Sequence, residues 1–147
     1  MNLEAYSKKY NKGKPLVTFI FGTRPEAIKL APVIKQFQAC DLIDTRIINT
    51  GQHRDLVLDV LNLFKIQVDI NLDVMSKIPS LTNLTCKILE KLDTEFDNYS
   101  PSLVLVQGDT TTAYASALAS FYKKIPIAHV EAGLRTNNIY SPFPEEV

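Results

Sequence analysis

The chain is 147 residues long and 46% hydrophobic, with sixteen basic residues against sixteen acidic ones. That length buries the core of one ordinary domain rather than two, and the zero net charge excludes an overall field that would gather nucleic acid or an anionic membrane. No apolar run approaches the roughly 20 residues needed to cross a bilayer, and the N-terminus lacks a signal-peptide pattern, so a cytoplasmic protein is expected.

Residues 1–14 are polar, rich in Lys, Tyr and Asn, and show neither helical nor strand periodicity. They predict a flexible tail ahead of a single domain over 15–147. Leu16 to Phe21 is a β-branched and aromatic run ending at Gly22, as in a strand buried on both faces of a parallel sheet. Thr23-Arg24-Pro25-Glu26 then fits a capping box, with the Thr23 hydroxyl placed for the Glu26 amide. The helix that follows buries Ala27, Leu30, Ala31, Ile34 and Phe37 on one face, and Pro32 inside it predicts a kink.

Asp44 to Asn49 reads as a second strand, Thr50 to Arg54 as a loop, and Val57, Val60, Leu61 and Phe64 as the buried face of a second helix. A looser segment from Asp69 to Pro79 leads to a long amphipathic helix from Ser80 to Phe96, closed by Asn98 and Pro101. Leu103 to Val106 is a third strand, Thr110 to Lys123 an Ala-rich helix, and Ile125 to Val130 a fourth strand. Gly133 to Val147, rich in Asn, Ser and Pro, is a loop. Strands separated by helices predict an α/β fold: a Rossmann-like parallel sheet with helices on both faces. Cys40 and Cys86 are widely spaced, without a nearby His pair at ligand spacing, and read as reduced core thiols rather than a disulfide or zinc site.

In open parallel sheets ligands bind beyond the carboxyl ends of the strands, where loops and helix N-termini face one space. All four loops after strands carry reactive side-chain types. They are Thr23 and Arg24 after the first strand, Gln52, His53 and Arg54 after the second, Gln107 and Asp109 after the third, and Glu131 and Arg135 after the fourth. Arg24, Arg54 and Arg135 can fork onto phosphate, and Asp109 and Glu131 can bind hydroxyls or move protons, so an anionic, hydroxyl-rich ligand fits. Blander roles stand beside these. Asp109 can cap the next helix, His129 in an apolar strand suits a satisfied buried histidine, His53 reads equally as loop or ligand residue, and Lys29 is by default a surface lysine. Arg24 at a positive helix end is locally unfavourable, which points toward a bound anion. Neither a dinucleotide fingerprint nor a Gly-Lys-Ser/Thr loop follows a strand, so NAD or ATP is not indicated.

Five segments together resemble the non-hydrolysing UDP-N-acetylglucosamine 2-epimerases. They are FGTRPEAIKLAPVI (Phe21 to Ile34), TGQHRD (Thr50 to Asp55), GDTTTAYASALASFY (Gly108 to Tyr122), HVEAGLRT (His129 to Thr136) and YSPFPEE (Tyr140 to Glu146). The resemblance runs from about Leu16 to the last residue. It implies the N-terminal domain of a glycosyltransferase-B-like two-domain fold, a homodimer, and a place in cell-surface polysaccharide biosynthesis. The implied reaction interconverts UDP-N-acetylglucosamine and UDP-N-acetylmannosamine through a 2-acetamidoglucal intermediate, with no cofactor, no metal, no nucleic-acid partner and no membrane partner.

Carried over by position, the resemblance makes Asp109, Glu131 and Glu145 the acid/base carboxylates and Arg24, Lys29, Asp109, Glu131 and Arg135 substrate contacts. Gln52, His53 and Arg54 become candidates for an activating UDP-N-acetylglucosamine site. Two departures bear on that site: Asp55 stands where several relatives carry Glu or Gln, and Ser76 to Pro79 lacks an arginine that some place there. Family enzymes run to more than twice this length, so this chain is expected to lack the UDP-binding half and to be inactive alone. The alternatives are a hydrolysing 2-epimerase, an epimerase of another UDP-linked sugar, and a non-catalytic nucleotide-sugar-binding remnant.

Overall fold

A computed structural model describes residues 13–52, 54–75 and 80–141, and for Arg54 and Asp55 the backbone alone. The expectations for His53, Glu145, the Arg54 side chain, Ser76 to Pro79 and nearly all of the tail lie outside what is described. Nine elements follow one another: β1 (Leu16–Phe21), α1 (Arg24–Gln38), β2 (Asp44–Asn49), α2 (Arg54–Phe64), β3 (Ile70–Asn71), α3 (Leu81–Asn98), β4 (Leu103–Gln107), α4 (Thr111–Tyr122) and β5 (Ile127–Val130). The strands form one all-parallel sheet in the order β3-β2-β1-β4-β5.

Period-two alternation divides the apolar strand residues between two cores. Val17, Phe19 and Phe21 of β1 pack with Ala27, Leu30, Ala31 and Ile34 of α1 and with Val57, Val60 and Leu61 of α2. Ile20, Ile48, Val104 and Val106 point the other way, onto Ile88, Leu92 and Phe96 of α3 and the alanines of α4. The result is the expected three layers, with helices on both faces. From β1 the chain first builds outward to β2 and β3, then returns to build β4 and β5 on the other side. The strand order therefore reverses between β1 and β4, the kind of switch point beside which open parallel sheets bind ligands.

The capping box of α1 forms in one half. The Glu26 carboxylate accepts the Thr23 amide at 2.7 Å and the Gly22 amide at 3.0 Å. The Thr23 hydroxyl, although in capping-box position, is buried without a well-formed hydrogen bond. The helix runs on through Pro32 to Gln38.

Three expectations need correction. The looser segment contains a short fifth strand, β3, paired with β2 as Ile48↔Ile70 and Asn49↔Asn71. The last strand begins at Ile127 rather than Ile125. The Ile125 amide is spent closing the end of α4 on the Ser120 carbonyl, and Pro126 has no amide to give, although its carbonyl accepts Val104 N–H at 2.9 Å. The cysteines are free as expected but are not core residues, since Cys40 is only partly buried and Cys86 is exposed.

Candidate functional site

A cleft of about 730 Å³ lies beside that switch point rather than in it, at the carboxyl end of β4 and β5 and walled by α3 and α4. Asp109, Glu131 and Arg135 line it from the strand-end loops, His129 from β5 itself, and Cys86 and Tyr114 from the helices.

Gly108 leaves β4 at φ 70°, a left-handed turn suited to glycine. Asp109 follows, exposed to the cleft. It does not cap α4. That role belongs to Thr110, whose hydroxyl accepts the Ala113 amide at 3.1 Å, so the Asp109 carboxylate is left to the cleft.

Glu131 ends β5 at φ 61°, a left-handed conformation that costs a non-glycine residue about 1–3 kcal/mol and that clusters at functional sites. Its Oε2 receives both the Lys29 ammonium, from α1, and the Gln107 side-chain amide, from the end of β4. Lys29 is therefore more than a solvated surface lysine: it ties the α1 face to the β5 loop. Both members of that pair remain accessible, with side chains 48% and 36% exposed.

The His129 ring bonds the Gly108 carbonyl, so it is satisfied as expected. It is exposed on the cleft rather than buried, because among the described residues β5 is an edge strand with one neighbour. Arg135 also lines the cleft, and its guanidinium donates at 2.7 Å to the adjacent Leu134 carbonyl. Arg24 opens α1 and is exposed at the same end of the sheet, outside the cleft lining.

Gln52 sits on the other side of α4, where its side-chain oxygen accepts the Thr112 hydroxyl at 3.1 Å, and Thr112 meets Thr50 at 3.1 Å. The structure thus gathers Asp109, Glu131, Arg135 and Lys29, and sets Gln52 and Arg24 apart from them. Among the described residues no group of three or more His, Cys, Asp and Glu side chains is placed to hold a metal ion, and no helix is long and apolar enough to cross a membrane.

Two residues matter more than their sequence pattern suggests. Gln107 is 3% exposed and oriented onto Glu131; its position at a strand end was the available signal. Glu26, read only as a capping residue, reaches across to Thr110 at 2.6 Å, and nothing in a local motif announces a partner 84 positions away.

A family model for UDP-N-acetylglucosamine 2-epimerase matches residues 35–147. The chain is 49% identical over 130 residues to the UDP-N-acetylglucosamine 2-epimerase of Yersinia pestis, covering 88% of this chain and 35% of that protein. A solved Neisseria meningitidis UDP-GlcNAc 2-epimerase bound to UDP-GlcNAc superposes with a TM-score of 0.86 at 49% identity, covering 89% of this chain and 35% of that one. A Methanocaldococcus jannaschii UDP-GlcNAc 2-epimerase in complex with UDP-GlcNAc and UDP gives 0.82 at 36% identity, covering 89% and 36%. The chain spans about a third of the length of the curated relatives it matches.

Proposed function

This chain belongs to the UDP-N-acetylglucosamine 2-epimerase family, and from that premise we propose that it is the N-terminal domain, over residues 15–147, of a two-domain enzyme that interconverts UDP-N-acetylglucosamine and UDP-N-acetylmannosamine. The observation that carries this reading is the convergence of Asp109, Glu131 and Arg135 on one cleft, with Lys29 bonded to Glu131.

The chemistry follows from those residue types. One carboxylate takes the C2 proton, the C2–H electrons form the C1=C2 double bond of 2-acetamidoglucal, and the C1–O bond breaks to release UDP. Re-addition of UDP at C1 with protonation of C2 on the opposite face completes the inversion. A poorly acidic sugar proton needs a positioned base, and the departing diphosphate needs positive charge. Asp109, Glu131 and Glu145 are the acid/base candidates, and Arg24, Lys29 and Arg135 supply the charge. Gln52, His53 and Arg54 form a separate candidate site where a second UDP-N-acetylglucosamine would activate the enzyme. The working protein is a cytoplasmic homodimer. The second domain supplies the rest of the nucleotide contacts, so the 147-residue chain by itself is expected to show no turnover.

The test is incubation of the two-domain protein with UDP-N-acetylglucosamine in heavy water. Deuterium at C2 of the UDP-N-acetylmannosamine formed is the expected result. Release of free N-acetylmannosamine with UDP would replace the proposal with hydrolysis, and turnover by the purified 147-residue chain would refute the requirement for a second domain.

A further inference from the structure

We infer that Glu26 is a positioning residue for this site: its buried carboxylate locks the loop after β1 to the cap of α4 and so sets where Asp109 stands. The inference deepens the proposed function and rests on it.

Glu26 is 1% exposed. The other buried charges, Arg46 and Glu95, pair with each other, whereas among the described residues Glu26 meets no cation. A buried carboxylate is costly unless its lone pairs are taken by donors. Oε2 takes the Gly22 and Thr23 amides at 3.0 and 2.7 Å, and Oε1 takes the Thr110 hydroxyl at 2.6 Å. The first two bonds belong to an ordinary helix cap. The third does not, because capping α1 would leave Oε1 free to face water.

Thr110 is held at both ends of its hydroxyl. It donates its proton to Glu26 and accepts from the Ala113 amide at 3.1 Å. That arrangement makes Thr110 the cap of α4 and leaves the preceding Asp109 on the cleft. On the other side, Arg24 lies two residues before Glu26 and Lys29 three after it, in the same helix. One carboxylate therefore fixes the spacing between the cationic start of α1 and the Asp109 carboxylate. Both ends must hold their places as charge builds on the departing diphosphate, and a misplacement of about 1 Å can lower a rate up to about 10²-fold.

The test is a double-mutant cycle in the two-domain protein, with kcat expressed per folded enzyme. Glu26→Asp keeps the charge but is one methylene too short to span the β1 loop and Thr110 together. Thr110→Val removes the hydroxyl, and Thr110→Ser keeps it. Each of the first two is expected to lower kcat by about tenfold or more while KM changes less than about threefold, the split expected when ground-state binding is retained. Thr110→Ser stays near wild type. The double variant Glu26→Asp/Thr110→Val is no slower than the worse single one, because the link is already broken.

Unchanged kcat in the singles, or losses that multiply in the double, would overturn the inference while leaving the epimerase reading standing. An inactive wild-type protein would sink both. Should Thr110→Val fail to fold, Glu26→Asp compared with Thr110→Ser carries the same decision.

Discussion

Gly22 stands where the loops after β1 and β2 meet the start of α4, and its lack of a side chain is what lets them meet. A Cβ there would lie 2.0 Å from Thr50 Oγ1 and 2.6 Å from Thr112 Oγ1. Both hydroxyls belong to fully buried residues on separate elements, so neither can swing into solvent. Gly22→Ala is expected to cost about 1–3 kcal/mol through overpacking, read as a lower urea midpoint, and a wild-type midpoint would show that the loops give way freely. At the opposite end of β2, Arg46 forms a buried ion pair with Glu95 and lies 3.6 Å from the Tyr99 ring centroid. Arg46→Leu leaves the Glu95 carboxylate buried without its partner and is expected to cost about 3–5 kcal/mol, much of it recovered in the Arg46→Leu/Glu95→Leu double variant. A single-variant loss below about 1 kcal/mol would mean that water reaches the pair. Neither role is legible in sequence: Gly22 reads as the end of a strand and Arg46 as one polar residue within one, since their partners lie far along the chain.

At the scale of the element, long periodic segments declared themselves and the shortest did not. The amphipathic stretch from Ser80 predicted α3, and the Ser80 hydroxyl caps it by accepting the Asn83 amide at 3.1 Å. Ser80→Ala should cost about 1 kcal/mol, and an unchanged unfolding midpoint would count against the cap. β3 has only two residues, too few for any periodicity. It exists because Asp69 accepts the Ile47 amide at 2.7 Å and Asn71 accepts the Asn49 side-chain amide at 2.9 Å, which are bonds to a neighbouring strand rather than local preferences. Just past α4, Lys123 bridges to Asp93 and Asp97 of α3 at 2.8 and 2.6 Å. The hydrogen bonds that its ammonium donates to Asp93 and then to Asp97 raise its pKa from the ordinary 10.5. A raised lysine pKa adds stability that is present below the unfolded value and lost as pH rises through the folded one. The site is open to solvent, so Lys123→Met is expected to leave the urea midpoint nearly unchanged at pH 7 and in high salt alike.

For the whole molecule the decisive feature is the β5 side. Among the described residues β5 is bonded on one edge, and Phe121 and Tyr122 at the end of α4 and Leu134, Ile139 and Tyr140 in the segment after β5 are all more than half exposed. An open parallel edge and exposed apolar side chains both favour association. The isolated 147-residue chain should therefore sediment with a weight-average mass that climbs with concentration. A constant monomer mass at every concentration tested would show that this face is content in water.

The sequence by itself determined the α/β class, the parallel sheet, the apolar faces of three helices and the polar loops at the strand ends. Each of these follows from a short-range period or from residues adjacent in the chain. GTRPEAIK and HVEAGLRT carried the family as well. Only the tertiary structure decided how those loops are joined. It made Thr110 rather than Asp109 the cap of α4, bound Lys29 and Gln107 to one oxygen of Glu131, and sent Glu26 across to Thr110. The physical reason is range: a hydrogen bond between residues 84 or 102 positions apart leaves no imprint on local propensity, and it forms only after two hydrophobic cores have brought the strand ends together.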